Sequence, residues 1–397
     1  MSQIYVPYGA YWSTPFSRWQ MSLSGIHSFE LAAQAARKAA ESRKLPLEKL
    51  DFGVLGMTVP QQGAFYGLPW LAAEIGAPQL AGPTISQACA TSARILAEAA
   101  GAVRAEEATA SLAIATDRVS NGPHIYYPDP SGMGGAGKQE VWVLDNFKKD
   151  PWADCAMVET AENVAAEFKI TTAEQNDVLV LRSEQYQQAL ADDRAFQRRY
   201  MVEPIELVDR RGRVRASCSG DEGIRPVERA AIEKLKPALP DGTVTFATQT
   251  HPADGAAGMV VTSEQAAADF SQDPAVKIQL VSFGQHRERK AYMPAAPIGA
   301  SRKALAAAGI GIEQVAAIKS HNPFAVNDIA FARAFEVSVE QLNNYGCSLI
   351  WGHPQGPTGL RAIIELIEEL VIVGGGYGLF QGCAAGDTAM AVVIKVG

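Results

Sequence analysis

The chain lacks the features that would commit it to a membrane, to secretion or to nucleic acid. No apolar run reaches the length of a membrane span, and the opening MSQIYVPYGAYWS has no basic-then-apolar leader pattern. The expectation is a soluble, untargeted, cytoplasmic protein. Its five cysteines follow no regular spacing, which argues against a disulfide framework and fits a reducing compartment. No pair of them has metal-ligand spacing, so no metal site is expected. Positive charge is also short: the net charge of -8 disfavours a nucleic-acid groove.

What is present is a long run of α/β grammar. At 397 residues and 47% hydrophobic content, the chain can build two cores or one large duplicated domain. Val- and Ile-rich runs alternate with Ala-rich stretches of helical period, as in FELAAQAARKAAESRK, FGVLGM, ATSARILAEAAGAV and ASLAIATD. The second half repeats the order with VKIQLVSFG, ASRKALAAAG, VAAIKSHNPF, PTGLRAIIELIEEL and GYGLFQGCAAG. A duplicated α/β unit follows, divided as 1–120, an inserted lid and binding region 121–240, and 241–397. The insert is irregular and rich in Pro, Gly and aromatics, a composition common in lids.

Three segments offer a reactive side chain in a helix-start or glycine-rich setting: Cys89 in SQACATSARILAEAA, His353 in GHPQGPTGLRAIIEL and Cys383 in FQGCAAGDTAMAVV. A helix N-terminus favours a thiolate, and a nearby imidazole can hold its proton, so a thiol enzyme is outlined. Each residue also has a plain reading: a free cysteine is most often a small buried hydrophobe, and a turn histidine is often satisfied by backbone. The helix after Cys89 leads to ASLAIATD, and the helix after His353 leads to the strand with Cys383, so a shared cleft between halves is expected. Gly132 to Lys138, GMGGAGK, has the glycines and lysine of a phosphate loop. Gln139 replaces its Ser/Thr, however, and no strand precedes it, so nucleotide hydrolysis is set aside.

These segments resemble the thiolases, enzymes that cleave or form 3-oxoacyl-CoA thioesters, and the likeness runs over nearly the whole chain. TPFSRWQMSLS, TDRVSNGP, MVETAENVA and DEGIRPVERAAIEKLKP are each similar to a thiolase segment. The resemblance implies a five-layer αβαβα fold of two similar halves and a homodimer, often doubled to a tetramer. It makes Cys89 the nucleophile that carries the acyl group, His353 its base, and Cys383 the second acid/base. The glycines that usually follow that last cysteine are here Ala384, Ala385, Gly386 and Asp387, though a backbone N–H near Ala385 still suits an oxyanion hole. Where most thiolases have Asn-Glu-Ala-Phe, this chain has His321, Asn322, Pro323 and Phe324, and a neutral imidazole at 321 can donate to an enolate oxygen.

By the same resemblance, Arg225, Thr250, Met157, Asn322 and Phe324 join Ala385 as substrate or coenzyme A contacts. Coenzyme A is a co-substrate and no bound cofactor is expected. The aromatic insert, with Tyr126, Tyr127, Trp142 and Trp152, suggests a bulky or aromatic acyl group such as benzoylsuccinyl-CoA, or simply a packed lid. Thiolases of that unusual kind can work with a small zinc-binding partner subunit. An acetoacetyl-CoA-type enzyme, a condensing C-acyltransferase and a non-catalytic scaffold subunit are the alternatives.

Overall fold

The computed structural model describes residues 3–397; Met1 and Ser2, the start of the opening segment, lie outside them. The apolar runs form one continuous sheet in the order Val315–His321, Gly376–Ala384, Thr388–Val396, Ile278–Arg287, Ile4–Tyr5, Ala253–Ser263, Ala110–Arg118, Phe52–Gly56, Thr84–Ile85. Its two wings repeat one motif. In the first, Phe52–Gly56 runs parallel to Ala110–Arg118, which pairs antiparallel with Ala253–Ser263. In the second, Val315–His321 runs parallel to Gly376–Ala384, which pairs antiparallel with Thr388–Val396.

Parallel neighbours need a long crossover, usually a helix, and this requirement places the site. The crossover helices are Thr91–Arg104 and Thr358–Val373; each packs on strands of its own wing, and the two pack on one another in the middle of the molecule. Ser28–Arg43 and Gly67–Ile75 cover the outer face of the first wing, while Ala296–Ala308 covers that of the second with Ala325–Phe335 packed beside it. The five layers are αβαβα, as the resemblance implied. Strands covered on both sides lose polar alternation, and Ala110–Arg118 is accordingly buried at every position but the last. Ala253–Ser263, which a division at residue 241 assigns to the second half, pairs with Ala110–Arg118 of the first wing.

Most of the insert lies off this sheet. It contains the hairpin His124–Tyr127 with Lys138–Val141, the helices Trp142–Lys148, Met157–Phe168 and Thr172–Arg198, and a second hairpin, Ile205–Val208 with Val214–Cys218. GMGGAGK turns the first hairpin and runs into a strand rather than a helix, so it lacks the geometry of a phosphate loop. The tail of the insert is anchored to the core by charge. Arg361, on the second crossover helix, gives Asp221 two hydrogen bonds of 2.6 and 2.7 Å and reaches Glu365 at 3.1 Å, all with fully buried side chains.

Asp221 also accepts from the Phe16 amide at 2.8 Å and the Tyr186 hydroxyl at 3.0 Å. Removing Asp221 would leave buried Arg361 with Glu365 alone and take an acceptor from the Phe16 amide and the Tyr186 hydroxyl. Asp221→Ala is therefore expected to cost about 3–5 kcal/mol of stability. Urea unfolding followed by fluorescence checks it; a midpoint equal to that of the parent would contradict this account of the anchor.

Candidate active site

Cys89 and His353 each sit just ahead of a crossover helix. Ahead of Thr91–Arg104 the chain makes a tight turn at Gln87–Ala90, with Ala88 in the left-handed region at φ +44°. A residue with a Cβ pays about 1–2 kcal/mol for that conformation. The Thr91 hydroxyl braces the turn, donating to the Ala88 carbonyl at 2.7 Å and accepting from the Gln87 amide at 2.8 Å. On the other side Gly352 has φ +93°, and a Cβ there would lie 2.8 Å from His251 Nε2, so glycine is required for steric as well as conformational reasons. The His353 amide then donates to the His251 carbonyl at 2.9 Å. Gly359 brings the two helix starts together, since a Cβ on it would lie 2.8 Å from Ser92 Cβ.

The result is a thiol held against an imidazole. His353 Nε2 is 3.1 Å from Cys89 Sγ, and its Nδ1 is 2.7 Å from the Thr358 hydroxyl. That hydroxyl donates its only proton to the Pro354 carbonyl at 2.6 Å. It must therefore accept from Nδ1–H, which leaves the Nε2 lone pair facing the thiol. Burial favours the neutral form of both partners. Burial pushes the Cys89 thiol up to about 12, although the amides of Ala385 and of Cys89 itself pull the other way. Burial, with His321 and His251 nearby, holds His353 well below its usual value.

Burial therefore opposes the stabilisation that a helix start is expected to give a thiolate here. The helix starts two residues after Cys89, and desolvation outweighs the amide contribution.

His321 and Cys383 stand behind this pair. His321 ends the strand Val315–His321, and its ring stacks on that of His353 with centroids 4.0 Å apart and planes at 27°. Its Nδ1 is 2.9 Å from Ser348 Oγ, and its Nε2 has no hydrogen-bond partner among the described residues. Burial pushes this imidazole down to about 3. Cys383, near the end of the adjoining strand, is fully buried and receives a hydrogen bond from Asn327 Nδ2 at 3.2 Å. Burial and the neighbouring Cys89 push its thiol far up.

Cys89 Sγ and one ring nitrogen from each of His321 and His353 lie within 4.8 Å of one another. Near-parallel stacked rings do not offer a metal a point about 2.0–2.1 Å from both nitrogens in both ring planes, so this arrangement is not a tetrahedral zinc site.

A cavity of about 610 Å³ opens over Cys89 and His353, walled by both wings and by the insert. Met157, Thr250, Phe324 and Ala385 line it, with Trp142, Phe147, Val158 and Met293 adding apolar surface. Thr250 turns its hydroxyl away, donating to the Ser348 carbonyl at 2.5 Å. Asn322 does not line the cavity; it is buried, with Nδ2 bound to Asp328 at 2.7 Å. Arg225 is exposed and lies outside the lining, and Arg213 and Arg215 pair with Asp209 at 3.1 and 2.7 Å. Of the insert's aromatics, Trp142 is in the wall, its indole N–H donating to the Thr58 carbonyl at 3.0 Å, whereas Tyr126, Tyr127 and Trp152 are exposed. Ser348 and Asn327 carry no sequence signal, since contacts between separate elements hold them near the reactive groups, whereas Thr358 reaches His353 from the same segment.

The chain belongs to the thiolase family. The family description "Thiolase, N-terminal domain" matches residues 10–265, and "Thiolase, C-terminal domain" matches residues 274–396. It is accordingly an acyltransferase. It is 27% identical over 392 residues to an acetyl-CoA acetyltransferase of Pseudomonas aeruginosa, covering 96% of each chain. To the human mitochondrial 3-ketoacyl-CoA thiolase it is 26% identical over 390 residues, again covering 96% of each. The solved structure of human mitochondrial 3-ketoacyl-CoA thiolase in complex with CoA shares the fold, with TM-score 0.90 at 24% identity over 100% of this chain and 98% of that one.

Proposed function

We propose that this chain cleaves a 3-oxoacyl-CoA with coenzyme A by a ping-pong route through an acyl-enzyme on Cys89. The observation that carries the reading is the 3.1 Å contact between Cys89 Sγ and the unprotonated Nε2 of His353 on the wall of the cavity. In the first half, the thiol proton passes to Nε2 and sulfur attacks the 3-keto carbon. The C2–C3 bond breaks, and the shorter acyl-CoA leaves as an enolate that takes its proton from Cys383. In the second half, the thiol of coenzyme A gives its proton to the Cys383 thiolate and attacks the thioester. Cys89 then leaves as a thiolate and recovers its proton from His353. The amides of Cys89 and Ala385, which reach the Cys89 sulfur, suit the oxyanion on the acyl carbon, and His321 suits the enolate oxygen.

The acyl group is read as bulky and apolar or aromatic, of which benzoylsuccinyl-CoA is one example, because Trp142, Phe147, Met157 and Val158 wall the cavity. The relatives' names, acetyl-CoA acetyltransferase and 3-ketoacyl-CoA thiolase, favour simpler chains. A panel of acetoacetyl-CoA, a long straight-chain 3-oxoacyl-CoA and benzoylsuccinyl-CoA, assayed with and without coenzyme A, separates these. Turnover without coenzyme A would overturn the thiolytic reading in favour of another C-acyl transfer.

Trp142→Ala is expected to lower kcat/KM for a bulky substrate on the order of 10-fold and to leave acetoacetyl-CoA little changed. Equal loss on both would remove Trp142 from the acyl pocket. Sizing the same preparation with its co-purified proteins reads out the homodimer or tetramer and any small zinc-binding subunit.

A further inference from the structure

Two imidazoles are stacked here, and each has a hydroxyl at its Nδ1. The Thr358 hydroxyl accepts from His353, as its proton is committed to Pro354. The position of Ser348 is different. Its Oγ already accepts from the Asn322 amide at 3.1 Å, and it has one proton to give, either to His321 Nδ1 at 2.9 Å or to Asn322 Oδ1 at 3.1 Å. Asn322 cannot turn, because its Nδ2 is bound to Asp328 at 2.7 Å, and its Oδ1 already takes the Leu349 amide at 3.2 Å. His321 Nδ1 is the nearer acceptor and has no other donor among the described residues.

We propose that Ser348 is a positioning residue that donates to His321 Nδ1 and so keeps the proton of that ring on Nε2, where it is presented to the enolate oxygen. The opposite tautomer would leave a bare Nε2 lone pair with no hydrogen-bond partner among the described residues, on a buried ring stacked against His353, whose own lone pair faces Cys89. The two hydroxyls thus set opposite tautomers: His353 becomes a base at Nε2 and His321 a donor at Nε2. This inference rests on the thiolase reading for the identity of the oxyanion, but not for the position of the proton.

The test uses the full-length protein labelled with ¹⁵N. Two-bond ¹H–¹⁵N correlations, assigned by the loss of signals in His321→Asn, are expected to show His321 with an unprotonated Nδ1 and a protonated Nε2. Ser348→Ala is expected to slow exchange of the methyl protons of acetyl-CoA with D2O on the order of 10²-fold, since that step needs the enolate. Acetylation of Cys89 by acetyl-CoA, which forms no enolate, should keep its rate, and Ser348→Thr should restore the exchange. A protonated Nδ1 in the parent protein, or parental exchange in Ser348→Ala, overturns the proposal. Should Ser348→Ala not fold, the spectrum of the parent decides alone. Failure of the parent to acylate Cys89 with acetyl-CoA or with any 3-oxoacyl-CoA of the panel would instead count against the thiolase reading and leave the tautomer to the spectrum.

Discussion

Cys89→Ala is expected to abolish thiolysis, lowering kcat on the order of 10⁴-fold or more, because a covalent route has no substitute for its nucleophile. In energy that is at least about 5.4 kcal/mol of transition-state stabilisation. The cost to the fold should be small by comparison, since the substitution removes only the sulfur and leaves the Thr91 hydrogen bonds that brace the turn in place. Circular dichroism and the unfolding midpoint of the variant should therefore match those of the parent. A variant with intact fold and parental turnover would remove Cys89 from the chemistry.

His353→Asn comes next in size, with an expected loss in kcat of about 10²- to 10⁴-fold, the range for removal of a general base. Its signature is in the pH profile. In the parent, His353 is held well below 6.5 and is neutral through the physiological range, so kcat/KM should fall on the acid side only well below pH 6.5. The thiol is pushed up to about 12, so alkylation of Cys89 by iodoacetamide should keep rising with pH through the alkaline range. An ordinary cysteine would level off above about pH 8.5. In His353→Asn the acid limb assigned to the imidazole should vanish along with most of the rate. A limb that persists unchanged would place the base elsewhere.

Cys89 and His353 were legible because each follows a turn signal and precedes a long helical pattern in corresponding places of a repeated α/β order. That the two meet across 264 positions follows from the pairing of two crossover helices, which periodicity alone does not give. His321 stood out as a departure within a recognisable loop, yet its stacking on His353 and its hydroxyl partner belong to three separate elements. The helix-terminus rule is local, whereas desolvation depends on everything packed around the sulfur, so the balance between them at Cys89 is not legible from its place before a helix. The insert was hardest to read. Its hairpin and short helix have no clean period, so nothing in the sequence tells that Trp142 faces the cavity while Tyr126 and Trp152 face out.

The central claim is that acyl transfer passes through the sulfur of Cys89. Intact-mass spectrometry of the protein mixed rapidly with a 3-oxoacyl-CoA, without free coenzyme A, tests it most directly. The account predicts one acyl adduct per chain, mapped by digestion to the peptide containing Cys89, absent from Cys89→Ala and discharged when coenzyme A is added. An adduct that forms equally well in Cys89→Ala, or turnover with no adduct at any time, would contradict it.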